Sequence, residues 1–143
     1  HSSFIYVIIF YLFTLNSSSN PNSANIDIIN IGIKDYDAKE YEGKFLLPNG
    51  ISHNSFLIID EKIIIINGVE KSYQNKWLAN IKKNLLQKEP EFILIQHVEP
   101  DYTGSLLSLI EKYPKIKIIS SKKSFSLLKK YYNNDFINNR IVI

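Results

Sequence analysis

The first quarter of the chain contains two segments of opposite hydrophobic character. Residues 4–15 (FIYVIIFYLFTL) are continuously apolar, and residues 16–25 (NSSSNPNSAN) are polar. The apolar run is shorter than the roughly 20 residues that a membrane-spanning helix needs, and it has the length of a signal-peptide core. We therefore predict an apolar leader and polar linker over residues 1–25, which could serve as a targeting segment, followed by part of a folded domain over residues 26–143.

Three strands are predicted in the first half of this domain. Residues 27–33 (DIINIGI) alternate between apolar and polar positions, as in a half-buried strand. Residues 55–60 (SFLIID) and 62–67 (KIIIIN) are apolar runs joined by a tight turn, which predicts a hairpin. The four consecutive Ile residues indicate a strand that is buried on both faces of its sheet.

The second half of the domain has the pattern of helices that alternate with strands. Tyr73, Trp77, Ile81 and Leu85 recur every four residues, which predicts an amphipathic helix over residues 71–86 that packs this stripe into the core. Short apolar runs between helices are typical of a parallel sheet in an α/β fold. The elements predicted after this helix are strand 92–95, helix 105–113, strand 115–119, helix 121–132 with Ser121 as its N-cap, and a strand that starts at residue 141.

Composition narrows the classes of function. Hydrophobic residues make up 45% and charged residues 22%, which is ordinary for a globular domain and argues against general disorder. A net charge of +3 is too small to indicate a nucleic-acid or membrane partner. Because the chain contains no Cys, it has neither disulfides nor thiolate metal sites, so any metal must be held by His and carboxylates.

One short segment carries candidate chemistry. His97, Glu99 and Asp101 stand at alternate positions directly after the predicted strand 92–95 and before a predicted helix. This is the carboxyl end of a strand, where α/β proteins concentrate their sites. Pro100 disfavours helical backbone at Glu99 and favours a winding loop. One imidazole with two carboxylates suits iron, manganese or zinc, and a solvated turn is the alternative that spacing leaves open.

The sequence QHVEPDYTGS over residues 96–105 resembles a motif of the flavodiiron proteins. That family carries H-x-E-x-D-H, typically within NHMEPDHSGS, where the hydrolytic metallo-β-lactamases carry H-x-H-x-D-H. Glu99 is therefore the most discriminating residue of the chain. The resemblance also covers residues 31–33, 48–59, 68–70 and 113–123. It implies an α/β fold, namely the N-terminal half of a metallo-β-lactamase-like αββα sandwich.

The resemblance implies a fragment of an oxidoreductase. Such proteins reduce oxygen to water or nitric oxide to nitrous oxide at a non-haem site of two iron ions, which is supplied with electrons by FMN. His97 and Glu99 would bind one iron and Asp101 the other. Three further ligands and a flavodoxin-like domain that holds the FMN would follow residue 143, so this chain alone is expected to be inactive. No catalytic or flavin-binding residue is assigned to it.

Three residues depart from the family pattern. Tyr102 stands where the family usually has a second His, and a Tyr ligates iron only as a phenolate. Asn67 stands where the family usually has an Asp, which we interpret as a support of the metal ligands and not as a ligand. The loss of such a support typically lowers metal affinity or activity by about 10- to 100-fold. His53 stands where the family often has Tyr, and we interpret it as a packed or exposed loop residue.

The resemblance also implies partners and leaves alternatives. An electron-donor protein such as a rubredoxin or a flavin reductase would serve a full-length homodimeric relative, with no nucleic-acid or membrane partner. Cytoplasmic localisation is favoured, and targeting by residues 4–24 is the alternative.

Whether the chain is an enzyme stays open. A degenerate, non-catalytic binding module is favoured by Tyr102 and Asn67, whereas a zinc hydrolase of the same superfamily is disfavoured by Glu99.

Overall fold

The computed structural model describes most of the predicted domain. The described residues are 26–35, 40–41, 45–46, 51–96, 98–99, 103–132 and 140–142. The predicted leader and linker over residues 1–25 lie outside these ranges. Within them, no helix is both long and apolar enough to cross a membrane.

The described residues form ten short strands and three α-helices. The strands are β1 (Asp27–Asn30), β2 (Ile33–Asp35), β3 (Glu40–Tyr41), β4 (Phe45–Leu46), β5 (Ile51–His53), β6 (Phe56–Ile59), β7 (Ile63–Ile66), β8 (Phe92–Leu94), β9 (Lys117–Ser120) and β10 (Arg140–Val142). The helices are α1 (Gln74–Leu85), α2 (Leu106–Lys112) and α3 (Lys122–Tyr131), and a 3₁₀ turn over Lys71–Tyr73 leads into α1.

Six strands make the central sheet, in the order β1-β6-β7-β8-β9-β10. β6 is antiparallel to β1 and to β7, whereas β7, β8, β9 and β10 run parallel to one another. The predicted hairpin is confirmed, because Ile59 pairs with Ile63 across the turn. The predicted alternation of parallel strands and helices is confirmed as well. β2 pairs with β5 and β3 with β4 in two small sheets.

The single strand predicted over residues 27–33 is wrong in one respect, because the chain leaves the central sheet at residues 31 and 32. The Gly32 amide donates to Asn30 Oδ1 at 2.9 Å, which turns the chain after β1. A Cβ on Gly32 would lie 2.2 Å from the backbone oxygen of His53. The close approach of two backbones therefore requires glycine here, and β2 then pairs with β5 instead of β6.

The hydrophobic core lies on both faces of the central sheet. The larger cluster joins the helices to one face, with Trp77 and Ile81 from α1, Leu109 from α2 and Leu128 from α3. Ile63 and Ile65 belong to this cluster, whereas Ile64 and Ile66 belong to a second cluster on the opposite face. All four Ile residues of β7 are buried, so the prediction of a strand buried on both faces is confirmed.

The predicted helices are confirmed with small shifts at their ends. The Ser121 side chain accepts a hydrogen bond from the Ser124 amide at 3.1 Å, which confirms it as the N-cap of α3. The C-cap of α1 is Leu86, which follows the last helical residue and is in the left-handed conformation with φ of 48°. β9 begins two residues after the predicted start, because Ile116 donates its amide to Tyr113 in a turn.

Candidate metal centre

The predicted metal-binding segment begins where β8 ends. Ile95 continues the ladder by donating its amide to the Ile119 oxygen of β9 at 2.9 Å, and the chain then leaves the sheet at Gln96. The segment therefore lies at the carboxyl end of the parallel strands, as predicted.

Of the three predicted ligands, the structure describes Glu99, whose side chain is exposed. The carboxylate of Glu99 makes no hydrogen bond or ion pair with the described residues. His97 and Asp101 lie outside the described residues, as does Tyr102. The part of the chain that is described contains no group of three or more His, Cys, Asp or Glu residues that could hold a metal ion. The ligand set therefore stays a prediction.

Glu99 and Thr103, the described residues on either side of Asp101 in the sequence, are joined by hydrogen bonds. The Glu99 backbone oxygen accepts hydrogen bonds from the Thr103 amide at 3.0 Å and from Thr103 Oγ1 at 2.7 Å. Thr103 is buried, and its own backbone oxygen accepts from the Tyr132 hydroxyl at 2.6 Å. Glu99 and Thr103 are thus both fixed by hydrogen bonds.

Ser105 fastens the end of the motif to the segment that follows β7. Its side-chain oxygen accepts a hydrogen bond from the Val69 amide at 3.1 Å, and its amide donates to the Val69 oxygen at 3.2 Å. Ser105 and Val69 are fully buried. The connection after β7 and the connection after β8 are therefore hydrogen-bonded to each other at the carboxyl ends of these two parallel strands.

Asn67 fastens the beginning of the motif. Its Nδ2 donates to Gln96 Oε1 at 2.8 Å, and its Oδ1 accepts from the Gln96 amide at 3.2 Å. Asn67 has a φ of 60°, a left-handed conformation that Asn adopts more readily than most residues. Gln96 directly precedes His97 in the sequence, so this pair fixes the backbone next to a predicted ligand.

A buried polar contact fixes Asn67 from the other side. Trp77 Nε1 donates to Ser55 Oγ at 3.0 Å, and Ser55 Oγ donates to the Asn67 backbone oxygen at 2.8 Å. Trp77 and Ser55 are fully buried. The periodic spacing predicts Trp77 as an apolar core residue and does not indicate its contact with Ser55. The signal that could have found the contact is that a buried Trp usually needs an acceptor for its N–H group.

His53 was predicted to be either a packed or an exposed loop residue. It is packed in the interior, at the end of β5. Its side chain is 2% exposed, and neither ring nitrogen has a hydrogen-bond partner among the described residues. The nearest carboxylate oxygen, Oε2 of Glu70, lies 3.9 Å from Nε2, which is too long for a hydrogen bond. The ring centroid lies 5.1 Å from that of Tyr73.

Two curated proteins are similar to this chain in sequence. The anaerobic nitric oxide reductase flavorubredoxin of Vibrio vulnificus is 30% identical over 89 residues, which are 62% of this chain and 18% of that protein. The rubredoxin-oxygen oxidoreductase of Megalodesulfovibrio gigas is 28% identical over 103 residues, or 72% of this chain and 26% of that protein. No family model matches the chain.

Solved structures are similar in fold. The rubredoxin oxygen:oxidoreductase of Desulfovibrio gigas has a TM-score of 0.74 and 26% identity, over 81% of this chain and 29% of that one. A flavo di-iron protein of Thermotoga maritima has a TM-score of 0.71 and 26% identity, over 82% of this chain and 29% of that one. The predicted α/β, metallo-β-lactamase-like fold is confirmed. The chain spans less than a third of the length of these relatives.

Proposed function

This chain is a homologue of the flavodiiron proteins, and we propose that it forms part of an oxidoreductase that reduces oxygen or nitric oxide at a non-haem diiron site. The observation that carries the proposal is the segment after β8. It has Glu at its second ligand position and is joined to the chain that follows β7 through Asn67 and Ser105, and Thr103 is hydrogen-bonded to Glu99 within it.

The residues of this segment fit iron by their chemistry. We assign His97 and Glu99 to one iron and Asp101 to the other. A neutral imidazole with hard carboxylate oxygens suits iron, and a set without thiolates disfavours soft metals. The exposed carboxylate of Glu99 has no described partner that a metal ion would have to displace.

When bound, two irons at these residues would supply electrons to a diatomic substrate. The chain's own contribution is to position the ligands. The Asn67–Gln96 pair holds the backbone before His97, and the Glu99–Thr103 hydrogen bonds hold the backbone on both sides of Asp101. Neighbours of this kind orient metal ligands and tune metal affinity.

The remaining parts of the proposed reaction belong to a longer protein. Flavodiiron homologues imply two irons and FMN in the full protein. We propose that the FMN is held outside this chain and that a rubredoxin or a flavin reductase supplies electrons to a homodimer. The names of two relatives mention rubredoxin. We propose that this chain alone is inactive, because it would provide only three of the ligands.

Anaerobic titration with Fe(II) against a chromophoric chelator tests the assignment. We expect Glu99→Gln to weaken iron binding to the 143-residue chain by at least about tenfold, because it removes a charged oxygen ligand. The matched control is Glu111→Gln, which removes one exposed carboxylate from α2 and should leave iron binding unchanged. Equal iron affinity in the wild type and in Glu99→Gln would refute the assignment and would favour the non-catalytic binding module.

A further inference from the structure

A cleft of about 350 Å³ lies between the β2–β5 pair and the first turn of α1. Gly32 and His53 line it at their close approach, where a Cβ on Gly32 would meet the backbone oxygen of His53. Ile33 pairs with His53 in the wall of the cleft, and Lys76 of α1 lies on its rim. This volume is at the lower end of the range of about 300–1,000 Å³ that is usual for small-molecule sites.

Two lysines line the cleft. They are Lys34 and Lys76, and no Asp or Glu among the described residues lines it. Both lysine side chains are exposed, and neither forms an ion pair with a carboxylate among the described residues. A concave surface that carries two unpaired ammonium groups attracts anions and disfavours cations.

Two asparagine side chains add hydrogen-bond donors. Asn30 Oδ1 accepts from the Gly32 amide, which orients the side chain and leaves its Nδ2 group without a partner in the described structure. The Asn54 side chain is exposed and makes no hydrogen bond to the described residues. The lining therefore offers amide donors beside the two ammonium groups.

His53 is the third kind of group in the lining. Its imidazole is buried, and neither ring nitrogen has a hydrogen-bond partner within the described part of the chain. The Glu70 carboxylate, which does not line the cleft, lies 3.9 Å from Nε2, beyond hydrogen-bond distance. Native proteins rarely leave a buried polar group without a partner unless water, an ion or a ligand completes it. An oxygen acceptor that enters beside His53 would satisfy the N–H group of the imidazole.

We infer that this cleft binds a small ligand through an oxyanion group, either a phosphate or a carboxylate. Two ammonium groups, the free amide of Asn30 and a buried imidazole without a hydrogen-bond partner are a donor set for such a group. The inference rests on β2, β5 and α1 and is independent of the proposed diiron chemistry. Its ligand would be a small metabolite and not an electron-donor protein, because the cleft is small.

Amide NMR of the 143-residue chain tests the inference with inorganic phosphate and, separately, acetate at constant ionic strength. We expect saturable shifts at Gly32, Lys34 and Asn54 that fit one dissociation constant. The Lys34→Gln/Lys76→Gln double variant should bind at least about tenfold more weakly, because a hydrogen bond to a charged group contributes at least this much. Saturation by phosphate alone identifies the phosphate class, and saturation by acetate identifies the carboxylate class.

The matched control removes two charges from the same helix outside the cleft. Lys82 and Lys83 are exposed residues of α1 that do not line it, so Lys82→Gln/Lys83→Gln should bind the anion as the wild type does. All four substitutions change exposed side chains, and the dispersion of the amide spectrum reports that each variant is folded. Equal loss in the two double variants, or no saturation by either anion, would overturn the inference.

Discussion

Asn67 joins three parts of the molecule at one position. Its amide donates to Leu94 of β8, its backbone oxygen accepts from Ser55, and its side chain exchanges two hydrogen bonds with Gln96. Asn tolerates the left-handed backbone that this position requires. The departure from the family's Asp therefore keeps a residue that can hold the start of the metal-binding segment.

We expect Asn67→Ala to destabilise the fold by about 2–3 kcal/mol. The substitution leaves the backbone amide of Gln96 without its acceptor. It also places alanine at a positive φ, which alanine adopts less readily than asparagine. Asn67→Asp keeps the acceptor and the backbone preference, and the Gln96 amide group can rotate to donate to it. Its cost should be smaller. Urea unfolding of the three proteins measures the order, and an Asp variant less stable than the Ala variant would contradict this account.

At the residue scale, the sequence predicted which side chains could carry chemistry but not what holds them. Glu99 was recognised because its spacing and the family motif are local in sequence. The partners Gln96 and Asn67 are far apart in the chain and meet only because β7 and β8 are neighbours. The same holds for Ser105 and Val69. Such contacts leave no periodic signature in one sequence.

At the scale of elements, the end of α1 carries backbone strain. Leu86 and Gln87 have φ values of 48° and 79°, so two consecutive residues other than glycine are left-handed. The Lys88 amide donates to the Leu85 oxygen at 3.0 Å and closes the helix end. Glycine is the usual residue at such a position because it has no Cβ to meet the backbone.

We expect Leu86→Gly to stabilise the protein by about 0.5–1 kcal/mol, since the relief of left-handed strain exceeds the entropy that a glycine loses on folding. The Leu86 side chain is 81% exposed, so little packing is lost. Leu86→Ala is the control, because it removes the same side chain but keeps the Cβ, and it should give no gain. Thermal unfolding compares the two, and equal shifts in Tm would rule out backbone strain as the cause.

Elements with long apolar periodicity were predictable, whereas short ones were not. The stripe of Trp77 and Ile81 and the four Ile residues of β7 gave correct elements with correct burial. β3 and β4 have two residues each, too few for any alternation to be recognised. The break at Gly32 was missed, because it depends on a backbone that approaches from β5.

At the scale of the whole molecule, Tyr113 links global stability to pH. It is 8% exposed and belongs to the main core cluster. Burial, and secondarily the Glu89 carboxylate, raises the pKa of its phenol above the ordinary value. The folded protein therefore holds this proton more tightly than the unfolded chain does. Its contribution to stability is present below about pH 10 and is lost as the pH rises through the folded pKa.

We expect the free energy of unfolding to fall more steeply above about pH 10 in the wild type than in Tyr113→Phe, which has no phenol to ionise. Lysines titrate in the same range in both proteins, so the difference between the two curves is the quantity to measure. Tyr131→Phe, which changes a tyrosine that is 70% exposed, is the control and should follow the wild type. Parallel curves for the wild type and Tyr113→Phe would contradict the linkage.

The fold class and the family were predictable from the sequence, because both rest on patterns that are continuous along the chain. The anion cleft was not. Its lining comes from β1, from β2 and the link before it, from β5 and the residue after it, and from α1, and none of these segments carries a motif of its own. They are separated in the sequence and meet only in the folded chain, where Gly32 approaches the backbone of His53.

The position of β7 in the middle of the sheet has a consequence for synthesis on the ribosome. Its four Ile residues are uncharged and β-branched, the kind of segment that seeds aggregates when it is unpaired. β6 emerges before it and covers one edge, but β8 emerges only after α1 has been made. We therefore expect a nascent chain of this protein to depend most on chaperones at that stage, before the predicted metal-binding segment has left the exit tunnel.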